Sequence, residues 1–353
     1  MSFRRHDLDN LRTFLTGLVT VHHTSIAYGG AGGWPFKSAA FVGASPLILG
    51  FNMFNQSFFM GVFFWISGRV SAQALQRATS LTAFLKNKTL RLAVPTLSYT
   101  LIVNPIMHAL LQPDLGIESV LAFIRDYFVN LRGVRGPVWY PVTLLCFDAI
   151  AGLITTSHWR HIRRSKGAHL YELLRRYGWL AAAVLNFLAK TQYPVGRALP
   201  IINLQPAYMF QYIYAYTLGY LGYYQGEQIM RGPFEILSGS QGPTRTKSPE
   251  RKFAKGISLR TAIMVSLLSM SIIHLPRYLD SIEWVEKTTE QLFGGWNLPS
   301  LLYAFWNEFS FNLFSPALMF DFQQRQSQQA TRSIWNARYS YATFLVHTPF
   351  LYI

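Results

Sequence analysis

The sequence predicts an all-α fold, a polytopic transmembrane helix bundle of about nine spans, and three observations predict it. Half of the 353 residues are hydrophobic and only 14% are charged, against about a quarter charged in ordinary soluble domains. The apolar residues fall in blocks of roughly 17–25, the length that crosses a ~30 Å hydrocarbon core. Phe, Trp and Tyr make up 16% of the chain, which suits the gathering of aromatic rings at membrane interfaces.

Taken in order, the blocks place spans at roughly 11–28, 46–70, 90–111, 137–156, 178–195, 207–224, 259–276, 298–320 and 337–353. The first carries Arg12, His22 and His23 and lacks a small-residue cleavage site, so it reads as a retained helix and not a signal peptide. The fifth is interrupted by Lys190 and has Pro194 near its end. Between the third and fourth, segment 113–136 predicts a short interfacial helix around Glu118–Leu131, with an apolar stripe at Val120, Leu121, Ile124 and Phe128. Segment 225–258 is rich in Ser, Gly, Pro, Lys and Arg, the composition of a flexible, solvated loop within one membrane domain over residues 1–353. No internal repeat is visible.

The net charge of +16 sits between the blocks and not in a separate basic domain. It therefore points to a lipid bilayer and not to a nucleic-acid partner. With the N-terminus in the cytoplasm, the inner segments hold 24 of the 32 Lys and Arg residues. That bias persists through every alternation and supports both the count and the orientation of an integral, multi-pass protein. The single cysteine, Cys146, lies in an apolar run and excludes an internal disulfide or a cysteine metal cluster, so no metal is expected.

Ionisable side chains inside the hydrocarbon layer cost several kcal/mol and mark either a site or a buried pair. On the first span Arg12 and His23 point within about 20° of each other, with His23 about 16 Å further along the axis. Asp9, Thr16 and Thr20 share an arc of about 80° with them, and His22 lies about 80° off that stripe. His23 is thus the candidate general base or nucleophile, with His22 as its neighbour. The plainer alternative is a histidine that hydrogen-bonds an adjacent helix. Glu308, flanked by Trp306, Asn307 and Asn312, reaches similar depth, as do Asp148 and His347. Of the two carboxylates, Glu308 is favoured to orient or charge-balance a histidine, although either serves equally as a structural hydrogen-bonding group.

The second span carries Asn52, Asn55 and Gln56, followed by Phe63-Phe64-Trp65-Ile66-Ser67-Gly68. Ser67-Gly68 is a small pair that lets helices approach closely; a nucleophilic Ser67 is the alternative, without a base paired to it in sequence. Lys88 and Arg91 share a helix face near the expected start of the third span. Two cations beside a helix start suit a phosphate or pyrophosphate, and ordinary positive-inside charge is the alternative.

Together these segments resemble the acyltransferase 3 family of multi-spanning membrane acyltransferases. The resemblance rests on Leu8-Asp9-Asn10-Leu11-Arg12 followed by His22-His23, on Phe58 to Gly68, and on Lys88-x-x-Arg91-Leu-x-x-Pro95. It continues through Gly136-Pro137-Val138-Trp139-Tyr140, Trp306-Asn307-Glu308-Phe309 and Tyr339 to Pro349, which includes His347. It implies a ten-helix fold, so that this chain would end one helix short. It also implies transfer of an acyl group, often acetyl, from a cytoplasmic acyl-CoA co-substrate, with no bound cofactor. The implied acceptor is a hydroxyl on a carbohydrate or other small molecule. The family's essential arginine and histidine map to Arg12 and His23, and its Arg-x-x-Arg pair maps to Lys88 and Arg91. Lysine at the first position keeps the charge but loses the planar fork for bidentate phosphate contacts.

Membrane O-acylation is accordingly the leading expectation, with direct transfer or an acyl-histidine intermediate both open. A proton-coupled secondary transporter using His23, Glu308 and His347 is the alternative, although that class often shows paired repeats. A catalytically silent scaffold is the third, tied to the missing helix.

Overall fold

The chain is described here from a computed structural model over residues 5–30, 32, 38, 45–110, 116–131, 133–157, 165–234, 257–274, 290–328 and 339–352. All regular structure among them is helical. The helices are α1 (His6–Ala27), α2 (Pro46–Arg77), α3 (Leu81–Ser98), α4 (Asn104–Leu110), α5 (Ile117–Val129) and α6 (Trp139–Ser157). They continue with α7 (Ser165–Leu173), α8 (Trp179–Gln192), α9 (Pro206–Tyr224), α10 (Leu259–His274), α11 (Leu298–Gln328) and α12 (Ser340–Tyr352). Every expected span thus has a helix at its place.

Three of these stretches, Pro46–Arg77, Leu81–Leu110 and Gly136–Thr155, are long and apolar enough to cross a membrane by length and composition. Others are less apolar for visible reasons. α1 includes Asp7, Asp9 and Arg12, α9 is rich in tyrosine, and α11 carries Glu308 among asparagines and serines. Burial makes sense of these polar residues: in lipid, helices associate through close packing and interhelical hydrogen bonds more than through apolar area.

Local chemistry sets the helix ends. Pro46 and Pro206 open α2 and α9 at positions where the missing N–H is not needed. Ser80 caps α3, its Oγ accepting from the Ala83 N–H at 3.1 Å. This cap moves the start of the third helix to Leu81, well before the expected 90. Lys88 and Arg91 therefore sit two turns inside a helix and not beside its start, and the helix N-terminus adds nothing to their attraction for anions. Pro95 removes one backbone donor in α3, and the ladder shifts to a π turn at Tyr99–Val103 before α4 resumes it.

α2 is the centre of the bundle, packing against α1, α9 and α11. Its closest contact is with α9, where a Cβ on Gly68 would meet the Tyr216 carbonyl oxygen at 2.1 Å and one on Gly219 the Trp65 carbonyl oxygen at 2.0 Å. The small residue beside Ser67 therefore serves helix approach, as its spacing predicts. α1 packs on α2, α11 and α12, α8 on α9 and α11, and α3 on α6. The helix expected around Glu118–Leu131 is α5, with no buried residue and with Leu121 and Phe128 exposed.

At the end where α1 begins, charged side chains tie the segment after α9 to its neighbours. Arg5 bonds Asp7 and Gln228, and Arg69 bonds the Glu227 carbonyl. Arg175 is held by Glu172 at 2.6 Å and donates to the Gly232 carbonyl at 3.1 Å. The hydrogen bond from Arg175 pulls the Glu172 carboxyl down to about 2. Of the loop expected at 225–258, residues 235–256 lie outside the described residues.

Candidate functional site

Arg12 and Thr16 on α1, Phe63, Ser67 and Ser71 on α2, Lys88 and Arg91 on α3, and Tyr140 on α6 line one cavity of about 260 Å³. Ser340, Tyr341 and Phe344 of α12 close its remaining side. Arg12 of α1 thus converges with Lys88 and Arg91 of α3 on a single space. Its volume falls just below the ~300–1,000 Å³ of small-molecule sites, which suits one portion of a long ligand.

The cavity ends at a cluster of three rings. Phe63 and Tyr140 have centroids 5.7 Å apart, Tyr140 and Phe344 5.7 Å, and Phe63 and Phe344 6.2 Å. Ser67 Oγ and the Tyr140 hydroxyl share a 2.6 Å hydrogen bond in this wall, and among the described residues no base is bonded to that serine. Three residues beyond Phe344, about 4.5 Å along the helix, stands His347. Its ring lies 5.8 Å from that of Phe344.

His347 meets His23. Nδ1 of His23 and Nε2 of His347 are 2.7 Å apart, and the two rings lie 18° from parallel. His347 Nδ1 is 2.6 Å from the Phe344 carbonyl oxygen, which only accepts, so that nitrogen must carry a proton and donate. In a neutral ring His347 Nε2 is then the acceptor, and His23 must donate from Nδ1. The lone pair of His23 is thereby assigned to Nε2. One histidine fixes the tautomer and orientation of the other, as a carboxylate does in a hydrolase triad.

His22 turns away from this pair. Its ring packs on Phe59 at 5.0 Å, its Nδ1 lies 3.2 Å from Asn52 Nδ2, and Asn52 also bonds Ser25 at 2.7 Å. That is the arrangement of a histidine that fastens α1 to α2. Asp9 is half-buried in the first turns of α1, and Trp139 stacks on Tyr212 at 5.6 Å. Asn55 is buried on α2, its Nδ2 without a partner among the described residues.

Glu308 departs from its expected place. Its Oε1 accepts from Asn186 on α8 at 3.0 Å, Gln211 on α9 at 3.2 Å and the adjacent Asn307 at 3.0 Å. The hydrogen bonds of Glu308 do not include His23, which instead contacts His347; Glu308 belongs to a cluster with residues of α8 and α9. Lys190, fully buried, stands in that cluster over the Tyr303 ring at 4.2 Å. What weakened the fifth span in the sequence is thus a member of a polar cluster.

Lys88 and the buried Asp148 form an ion pair at the cavity wall. Lys88 Nζ lies 2.7 Å from Asp148 Oδ2 and donates to Ser71 Oγ at 2.6 Å, while the Tyr216 hydroxyl donates to Asp148 Oδ1 at 2.7 Å. Asp148, which the sequence ranks below Glu308 as a partner for a histidine, is instead the partner of the cavity lysine.

With the geometry in view, comparison with known proteins adds one result. The family model described as "Acyltransferase domain" matches residues 5–353, essentially the whole chain. The chain belongs to this family. No curated protein and no solved structure matches it.

Proposed function

On the premise of that membership, we propose that the chain is a nine-span membrane O-acyltransferase with its N-terminus in the cytoplasm. The donor is acyl-CoA, by family resemblance acetyl-CoA, and the acceptor is a hydroxyl of a carbohydrate or small molecule. The donor's phosphates bind at the basic cavity of Arg12, Lys88 and Arg91, and its pantetheine arm leads the thioester past the rings towards His23. His23 Nε2 takes the proton of the acceptor hydroxyl as its oxygen attacks the thioester carbonyl carbon. The tetrahedral intermediate collapses with cleavage of the C–S bond. The departing thiolate takes the proton from His23 and leaves as free CoA.

The observation that carries this reading is the 2.7 Å contact between His23 and His347, which supports a base lone pair on His23 Nε2. His347 keeps its hydrogen bond to His23 when the latter is protonated, so it supports the imidazolium as well. Glu308 is not assigned a step, because its hydrogen bonds run to α8 and α9. Proton-coupled transport is not favoured by family membership. Replacing His23 by Ala is expected to abolish acceptor-dependent release of CoA thiol from acetyl-CoA while the purified protein keeps its thermal unfolding temperature. Undiminished release would overturn the assignment.

A further inference from the structure

We propose that Asp148 is a positioning residue that holds Lys88 in the wall of the basic cavity and cancels its charge. Arg12 and Arg91 are then the cations that meet the donor's phosphates. This rests on the donor reading of the cavity given above and divides its three cations into two kinds.

The contacts make the division. The Asp148 carboxylate is fully buried and receives Tyr216 on one oxygen and Lys88 on the other, both at 2.7 Å. The Lys88 side chain is 15% exposed, and Ser71 occupies a second of its three donor positions. To follow a phosphate, Lys88 would have to abandon a carboxylate that cannot reach water, leaving that charge uncompensated in the interior. Arg12 and Arg91 make no ion pair among the described residues, and Arg91 is exposed at the cavity mouth. Lysine suits this wall position: its compact ammonium bonds one carboxylate and one hydroxyl, whereas a guanidinium carries a wider fork.

A charge-cancelling cycle on the full chain, purified in detergent and titrated with free CoA, tests the assignment. Lys88→Met leaves Asp148 as an unpaired anion beside the cavity and is expected to weaken CoA binding by about tenfold or more. Asp148→Asn unmasks Lys88 and is expected to tighten it, with a steeper dependence on salt. The double variant K88M/D148N restores the neutral wall and is expected to bind CoA within about threefold of wild type. Arg91→Met is expected to stay weak when combined with D148N.

Were Lys88 a direct phosphate ligand, the double variant would bind as poorly as K88M, and that result overturns the inference. If K88M alone fails to fold, the double variant compared with wild type decides the matter by the same criterion. Wild-type protein that binds no CoA would overturn the donor reading itself, and this inference with it. Binding by wild type without rescue in the double variant overturns only the role of Asp148.

Discussion

Two lysines stand near buried carboxylates in this bundle, Lys88 by Asp148 and Lys190 by Glu308, and the two arrangements are built differently. Lys88 and Asp148 touch at 2.7 Å as an ion pair through Oδ2, an oxygen that accepts no further hydrogen bond among the described residues, and the Tyr216 hydroxyl bonds Oδ1. Lys190 and Glu308 do not form a contact pair. Three amide donors crowd Glu308 Oε1, while Lys190 Nζ, Glu308 Oε2 and Gln211 Oε1 have no hydrogen-bond partner among the described residues. The first pair is closed and forms the wall of a cavity. The second is open and rests on aromatic rings, with Lys190 over Tyr303. A buried ion pair repays its desolvation only when its geometry is excellent and its remaining valences are met. By that measure the first pair, which has a direct ion contact, is the better compensated of the two.

The largest expected effect comes from breaking the closed pair on one side. Asp148→Ala removes the carboxylate from a lysine that is 15% exposed at the cavity wall and should cost about 1–3 kcal/mol, read as a loss of thermal stability in detergent. Next is the apolar replacement of both partners, Lys88→Met with Asp148→Leu, which should recover most of that loss and lie within about 1.5 kcal/mol of wild type. If the double variant is as unstable as the single one, the pair does more than neutralise itself. In the open cluster Lys190→Met should change stability by less than about 1 kcal/mol, because no hydrogen bond is lost. A drop as large as that of Asp148→Ala would show that Lys190 and Glu308 are coupled as tightly as the closed pair, and the contrast would fail.

The smallest effect is at the surface. The Glu172 carboxyl is held down to about 2 by Arg175. A depressed carboxylate contributes its stability above its unfolded value, and that contribution fades as pH falls through the folded one. The clasp on Gly232 should therefore persist at pH 4 and open only near pH 2, as amide exchange at residues 230–234 would report.

Much of the fold was legible because membrane length and helical period leave few choices. Each expected span has a helix, and the stripe from Arg12 to His23 does lie between a basic cavity and the imidazole pair. Lys88 and Arg91 stand out by their position near a span end, Ser67 by its small pair with Gly68, and all three line that cavity. Partner choice was not legible. Nothing in a periodicity says that His23 meets a histidine 324 residues away, or that Lys88 takes Asp148 while Glu308 turns to Asn186. These are contacts between helices whose order around the bundle the sequence leaves open. The start of α3 lies earlier than expected for a local reason: the Ser80 cap precedes polar turns that the apolar block beginning near residue 90 does not include.

The glycine contact between α2 and α9 has a mechanical consequence. With Gly68 and Gly219 each pressed against the other helix's backbone, the two helices have no layer of side chains on which to slide. They form one stiff plate, and Ser67, Ser71 and Tyr216 are fixed to it. Any widening of the cavity has to come from α1, α3, α6 or α12. The cavity thus has one wall made of two helices in backbone contact, and its other walls, which carry Arg91, Tyr140 and Phe344, pack through side chains.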